Sequence, residues 1–209
     1  MIHFNRNDID LMPYVFRINL INSVSGYKSA NLIGTQSITG QPNVAVFSSI
    51  THIGSNPPLL GFFMRPTTVV RNTYENIKET GRYTINHIHE AIVNDAHHTS
   101  AKYDKGVSEF DQTGLEEIYR NDFKAPFVFG APVQLAMSYV EEYEIKANNT
   151  ILIIGQVEHI YVEDHLFRSD GFIDLAEGNV AAINGLDAYA VPESNERLSY
   201  QRPNLALQK

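Results

Sequence analysis

Two long strand-like runs separated by a four-residue turn set the architecture that this chain can adopt. Residues 133–145 and 150–162 contain many β-branched and aromatic residues, and polar and apolar residues largely alternate from Met137 to Ile145. The intervening Lys146-Ala147-Asn148-Asn149 supplies asparagines, which tolerate the positive φ of tight turns. The sequence therefore predicts a long antiparallel hairpin.

Shorter runs before the hairpin extend the predicted sheet. Residues 30–35, 43–49 and 58–64 are apolar or β-branched and are bounded by turn residues. The Gly-x-Gly-x-x-Gly fingerprint of parallel dinucleotide-binding folds is absent from the sequence. We therefore expect a mainly β, predominantly antiparallel barrel with peripheral helices.

The remaining segments are predicted from turn and helix signals. Residues 9–25 are expected to form an amino-terminal helix or extended arm, and residues 72–81 a short helix that ends at Gly81. A helix is also predicted over 91–103, a surface excursion over 105–122, and a short strand over 172–174.

Arginines and hydroxyls cluster where the third short run ends. Arg65, Thr67, Thr68, Arg71 and Thr73 fall within nine residues. The planar guanidinium fork matches phosphate oxygens, and threonine hydroxyls can complete the shell without adding charge. A polar loop that caps the following helix is the alternative interpretation, and the residues alone leave both open.

Composition excludes several classes of function. The chain has no cysteine, so it has neither disulfides nor a thiol nucleophile, and a redox role requires an organic cofactor or a His/carboxylate metal centre. The net charge of −8 argues against nucleic acids and anionic membranes as partners. No apolar run approaches the ~18 residues of a membrane span, and the amino terminus lacks a secretory pattern, so we expect a cytoplasmic protein.

Two other chemistries are weighed and not favoured. A histidine-rich stretch could in principle bind zinc or iron, but its spacing matches no established ligand set, and no metal is predicted. This histidine-rich stretch contains His87, His89, His97 and His98, with Glu90 and Asp95 nearby. A Gly-x-Ser-x-Gly nucleophile elbow is absent from the sequence, so a serine hydrolase is not favoured.

The order of these motifs resembles the flavin reductase-like family. The resemblance is carried by Asn31-Leu32-Ile33-Gly34-Thr35, residues 43–49, Asn56-Pro57-Pro58-Leu59-Leu60 and residues 72–86, and it continues through residues 98–103, 109–115 and 197–200. It implies one FMN-binding split-barrel domain over residues 1–209, with an amino-terminal arm or helix and a carboxy-terminal extension. It also implies a homodimer with the flavin near the subunit interface.

The resemblance implies candidate residues for FMN, with FAD as the alternative cofactor. Thr35, Ser48 and Ser49 are assigned to the flavin and its ribityl chain. Arg65, Thr67 and Thr68 are assigned to the phosphate, with Arg71 and Thr73 as further candidates. Lys28 and Ser29 could approach the pyrimidine edge, although a solvated lysine is an equal alternative. Ser100 and Tyr103 are candidates for contacts over the flavin, and His98 is the catalytic candidate beside the nicotinamide.

The function implied is that of an NAD(P)H-dependent flavin reductase. Hydride would pass from the nicotinamide to flavin N5, and the electrons would then go to free flavin, a partner monooxygenase or another acceptor. The alternative is an FMN-binding electron carrier or flavin store without nicotinamide-dependent activity, since the flavin pocket would be common to both.

Overall fold

A computed structural model describes residues 1–104, 106–200 and 202. Lys105, with which the predicted excursion begins, lies outside the described residues, as do Gln201 and residues 203–209 of the predicted carboxy-terminal extension.

The helices are α1 (Arg6–Leu11), α2 (Tyr14–Val24), α3 (Asn72–Thr80) and α4 (Val93–His98). The strands are β1 (Lys28–Ser29), β2 (Asn31–Gln36), β3 (Pro42–Phe47), β4 (Thr51–Ser55), β5 (Pro58–Met64), β6 (Arg82–His87), β7 (Glu117–Ile118), β8 (Phe127–Val128), β9 (Val133–Ile145), β10 (Thr150–Val162), β11 (Ala182–Asn184) and β12 (Ala188–Ala190).

A seven-stranded antiparallel sheet forms the centre of the fold, in the order β3-β2-β6-β9-β10-β5-β4. The predicted hairpin is confirmed: β9 and β10 pair along their length, and Asn149 in the connecting turn has a φ of 58°. Strands β3 and β4 stand at the two edges and do not pair with each other in the part of the chain that the structure describes. The mainly β, antiparallel fold class is thus confirmed, as a split barrel whose sheet does not close.

Two apolar clusters form the core. Each buried Leu, Ile or Phe side chain contributes roughly 1.5–3 kcal/mol relative to exposure. One cluster includes Ile33, Phe62, Ile77, Tyr83, Met137 and Ile153, and the other includes Leu32, Val44, Ile88, Phe110, Val128 and Ile183. Because the adjacent β2 residues Leu32 and Ile33 enter different clusters, the central sheet is covered on both faces.

Helix α3 confirms the predicted helix at 72–81 and determines where Arg71 lies. Gly81 follows it at a φ of 67°, and the Gly81 N–H donates to Ile77 O, as expected for a glycine cap. Ile77 is fully buried and anchors the helix on the sheet, where it packs against β2. Arg71 is therefore held at the amino-terminal end of a fixed helix.

The predicted amino-terminal arm consists of two helices. Helix α1 begins with a reciprocal capping box between Asn5 and Asp8. No residue of α1 or α2 is buried. Tyr14, Val15 and Phe16 of α2 are all more than half exposed, so the arm presents apolar side chains that the described part of its own protomer does not cover.

Two sequence predictions fail where tertiary contacts override local signals. The helix predicted over 91–103 ends at His98, and the Thr99 hydroxyl that follows donates to Ala96 O and accepts from the Val46 N–H of β3. Residues 172–174 form no strand, only a single bridge between Phe167 and Ile173.

The predicted surface excursion is also wrong in part. Glu109, Phe110 and Leu115 are buried, and Phe110 and Leu115 belong to one of the two core clusters. This segment therefore packs against the barrel and contacts strand β3.

Candidate functional site

The outer edge of strand β3, which pairs with no other strand in the described part of the chain, organises the candidate site. Its outward N–H groups do not meet another strand but are satisfied by side chains. The Val44 N–H donates to Glu109 Oε2 at 3.2 Å, and the Val46 N–H donates to Thr99 Oγ1 at 2.9 Å. The segment after α4 is thereby held along this edge, which protects the edge from pairing with other chains.

The carboxy-terminal end of β3 gathers three of the predicted serines. The Ser49 hydroxyl accepts from the Phe63 N–H at 3.1 Å and donates to Phe63 O at 3.3 Å. Ser29 Oγ lies 3.4 Å from Ile50 O, and Ser48 is half-buried between these contacts. Ser29, Ser48 and Ser49 are therefore neighbours, although the Ser49 hydroxyl is already engaged with the backbone of β5.

The predicted nicotinamide-side residues lie beside the same end of β3. His98 is exposed and its ring centroid lies 6.1 Å from that of Tyr103. The Tyr103 hydroxyl is buried and has no hydrogen-bond partner among the described residues. Ser100 is exposed in the turn after α4. The Thr99 contact thus holds the end of α4 against Val46, two residues before Ser48, and the His98 ring lies near Tyr103.

Arg71 lies toward the opposite end of β3. It precedes α3 as its N-cap residue, and no side chain caps the helix there. The first turn of a helix leaves N–H groups without intrahelical partners, and its dipole favours an anion. Arg71 Nε is itself buried without a hydrogen-bond partner in the described structure. This end of the site therefore offers a buried guanidinium N–H and a helix start without a side-chain cap, with Glu75 as the acidic residue of the first turn.

Arg65, Thr67 and Thr68 have different surroundings from Arg71. Arg65 and both threonines are exposed. The two threonines line an open cleft together with the carboxylates of Glu142 and Glu144. Because like charges repel, those carboxylates oppose a phosphate in this cleft. The structure thus separates the exposed candidates Arg65, Thr67 and Thr68 from Arg71 and Thr73, of which Thr73 is buried and Arg71 has a buried Nε.

Thr35 and Thr73 belong to a buried polar network that sequence reasoning missed. The fully buried Thr35 hydroxyl lies 3.0 Å from Asn76 Nδ2, which donates to it. The Asn43 amide lies between Thr35, Thr73 and Glu109, within 3.3 Å of each side chain. Glu109 lies in the 109–115 motif of the family resemblance, and that motif was the one feature of the sequence that could have pointed to this residue. The flavin contact assigned to Thr35 and the phosphate contact assigned to Thr73 stay predictions.

Comparison with known protein families indicates which class of ligand such a site binds. The flavin reductase like domain matches residues 26–176, which is more than half of the chain. The chain belongs to this family. Membership confirms the resemblance seen in the sequence and supports a flavin-related function.

Solved structures of several family-like proteins share this architecture. A split-barrel protein from Shewanella frigidimarina NCIMB 400, assigned as a flavin reductase, is 44% identical with a TM-score of 0.93, covering 96% of this chain and 100% of the other. Nitrilotriacetate monooxygenase component B from Bacillus cereus is 21% identical with a TM-score of 0.80, over 95% and 98% of the two chains. Flavoredoxin of Desulfovibrio vulgaris (Miyazaki F) is 21% identical with a TM-score of 0.71, over 85% and 92%.

Lys28 of this flavin reductase-like chain makes structural contacts. Its Nζ donates to Asn22 O at 3.0 Å and to Gly185 O at 3.1 Å. It therefore ties the end of α2 to the turn between β11 and β12. Its assignment to the flavin pyrimidine edge stays a prediction.

The histidine-rich stretch does not assemble a metal site within the described residues. No group of three His, Cys, Asp or Glu side chains is placed there to hold a metal ion. The His97 ring instead lies against Tyr189, with its Nδ1 3.3 Å from the tyrosine hydroxyl. No helix in the described ranges is long and apolar enough to span a membrane.

His87 is expected to make the protein sensitive to acid. Desolvation lowers the pKa of its imidazole from 6.5 to about 4. Between these values the unfolded chain binds more protons than the folded one, so stability is complete above pH 6.5 and is lost as the pH falls toward 4. We expect a loss of about 2–3 kcal/mol from this residue, and His87→Asn should remove most of it. Urea denaturation at neutral pH and near pH 4.5 measures the difference.

The exposed His52 of β4 supplies the control for this prediction. His52→Asn should retain the acid sensitivity of the wild type. If the His87→Asn variant lost as much stability in acid as the wild type, burial of this imidazole would not be its cause.

Proposed function

We propose that this chain binds FMN between the start of α3 and the carboxy-terminal end of β3 and acts as an NAD(P)H-dependent flavin reductase. One observation carries the proposal: near one end of β3 lie a guanidinium nitrogen without a partner among the described residues and a helix start without a side-chain cap, and near the other end lie serines and His98. From Asn43, which contacts Thr73, to Ser48 the chain extends roughly 17 Å at ~3.3 Å per residue. That span suits an extended flavin mononucleotide.

The residues at each end would have distinct roles. Arg71 and the first N–H groups of α3 would hold the phosphate, because Arg71 Nε has no hydrogen-bond partner among the described residues and no side chain caps the helix there. Ser48 and Ser29 would contact the ring and the ribityl chain, and His98, Ser100 and Tyr103 would orient the nicotinamide. FMN, when bound, supplies the hydride-accepting chemistry, while the protein supplies orientation and electrostatics. No side chain need act as a proton donor or acceptor in that transfer.

A homodimer with the flavin near its interface is part of the proposal, and we assign the interface to α1 and α2. Helix α2 has apolar residues on all sides, which is typical of a buried helix, yet none of its residues is buried. The segment from residue 6 to 24 carries two arginines and two aspartates, which cancel. A neutral apolar surface allows two copies of a chain with a net charge of −8 to associate despite their mutual repulsion.

Replacing Phe16 with glutamate is expected to weaken this dimer. A charge placed in an apolar interface must be desolvated without a partner, so the dimer dissociation constant should rise at least roughly tenfold. Light scattering coupled to size-exclusion chromatography over a dilution series measures it. Ile38→Glu is the matched control, because Ile38 is 77% exposed in the turn between β2 and β3. A Phe16→Glu protein that stayed as dimeric as Ile38→Glu would exclude α2 from the interface.

Steady-state oxidation of NADH and NADPH, with and without added FMN, tests the proposed activity. Turnover that depends on FMN supports the reductase. Similarity to flavoredoxin favours a second candidate, an FMN-binding electron carrier, which would bind FMN but oxidise neither nicotinamide. Similarity to a monooxygenase component B supports a partner monooxygenase as the electron acceptor. Absence of both FMN binding and turnover would contradict both candidates.

A further inference from the structure

We infer that Glu109 is a positioning residue for the phosphate end of the flavin site. It would act through Asn43 and Thr73, which connect it to the first turn of α3. The inference rests on the proposed function, because it concerns the same phosphate contact at Arg71. It assigns a role to a carboxylate that does not itself touch the cofactor.

The Glu109 carboxylate is fixed at the edge of β3. Glu109 is only 8% exposed, and its Oε2 accepts from the Val44 N–H at 3.2 Å. The Asn43 amide satisfies its neighbours best when its nitrogen donates to Glu109 Oε2 at 3.2 Å and its oxygen accepts from Thr73 Oγ1 at 3.2 Å. An ionised carboxylate can only accept hydrogen bonds, so it selects this orientation of Asn43.

Thr73 carries the contact into helix α3. It lies in the first turn, two residues after Arg71, and is 6% exposed. Asn76, one turn later, donates to Thr35 Oγ1 of β2 at 3.0 Å. The start of α3 is therefore joined to the sheet by buried side chains, whereas its own N-cap residue makes no side-chain cap. Without the Glu109 contact, Asn43 would no longer be held in one orientation against Thr73, in the first turn of the helix that Arg71 precedes.

Conservative and disruptive substitutions separate positioning from a general structural role. In Glu109→Gln the amide oxygen can still accept from Val44, and Asn43 can reverse so that its nitrogen donates to Thr73, an orientation in which the two atoms also lie 3.2 Å apart. Glu109→Ala removes the acceptor for both Val44 and Asn43, so the Asn43 amide is no longer held in one orientation against Thr73. The glutamine variant should therefore keep Asn43 fixed at the start of α3, and the alanine variant should not.

The test compares FMN with riboflavin, which lacks the phosphate, by titration of flavin fluorescence. We expect the wild type to prefer FMN, and Glu109→Ala to lower the ratio of FMN to riboflavin affinity by roughly fivefold, the scale of one hydrogen bond. Glu109→Gln should restore the ratio to the wild-type value within about twofold. If Glu109→Ala does not fold, Asn43→Ala interrupts the same connection and should lower the ratio likewise.

The outcomes distinguish the inference from the function on which it rests. An unchanged ratio in Glu109→Ala, or equal losses of FMN and riboflavin affinity, would overturn the inference while leaving the FMN site intact. Failure of Glu109→Gln to restore the ratio would also overturn it. A wild-type protein that bound FMN no better than riboflavin would contradict the phosphate site itself, and the inference would fail with it.

Discussion

Replacing Arg71 with alanine is expected to weaken FMN binding by roughly ten- to a hundredfold, the scale of a lost hydrogen bond to a charged group. The physical reason is that Arg71 Nε is buried and has no hydrogen-bond partner within residues 1–104, 106–200 and 202, and that it lies at the start of α3, which no side chain in these ranges caps. A bound phosphate would satisfy that nitrogen and the helix N–H groups together. Equilibrium titration of flavin fluorescence measures the change, and riboflavin affinity should change far less.

Arg65→Ala is the matched control for the Arg71 variant. Both arginines belong to the motif from which a phosphate site is predicted, but Arg65 is exposed and lies close in sequence to Thr67 and Thr68, which share a cleft with acidic side chains. We expect a smaller loss of FMN affinity in Arg65→Ala. A larger loss of FMN affinity in Arg65→Ala than in Arg71→Ala would indicate that Arg65 contacts the phosphate, and it would contradict the assignment to Arg71.

Replacing Gly34 with alanine is expected to destabilise the fold by about 4 kcal/mol, because the added methyl group meets atoms that cannot move away. A Cβ at this position would lie 2.2 Å from Pro126 O and 2.6 Å from Thr84 Oγ1. Those two atoms are themselves hydrogen bonded at 2.6 Å. Relief therefore requires strand β2 to separate from the chain that crosses it.

Chemical denaturation measures the Gly34 effect. Gly54→Ala in β4 is the control, since its nearest neighbour, Pro57 O, would lie 3.4 Å from the new Cβ. Gly54→Ala should stay close to wild type. Equal unfolding midpoints for the two variants would mean that the sheet adapts to a side chain at residue 34.

The parts of the fold that were predictable from sequence depend on local signals. The β9–β10 hairpin is encoded by alternating residues and by asparagines in its turn, and α3 by Gly81 at its end. The helix that ends at His98 was predicted too long because the Thr99 side chain bonds to a strand 53 residues away. Such contacts leave no periodic pattern in the sequence.

The candidate site was predictable in composition but not in arrangement. The sequence indicated a phosphate at either arginine, and only the structure distinguishes an exposed guanidinium from one with a buried, unpartnered nitrogen. The network among Asn43, Thr73 and Glu109 was missed because Asn43 lies 30 residues before Thr73, and Val44, which binds Glu109, lies 65 residues before it. Each residue alone resembles an ordinary polar side chain.

We expect this chain to hold FMN in a form that a nicotinamide can reduce. The visible absorption spectrum of the protein after incubation with FMN and desalting, followed by anaerobic addition of NADH or NADPH, tests this. Retained bands near roughly 375 and 450 nm that bleach on addition of the nicotinamide are the expected result. Retained bands that neither nicotinamide bleaches would contradict the reductase, and a colourless protein that also fails to oxidise NAD(P)H with FMN in solution would contradict the flavin site.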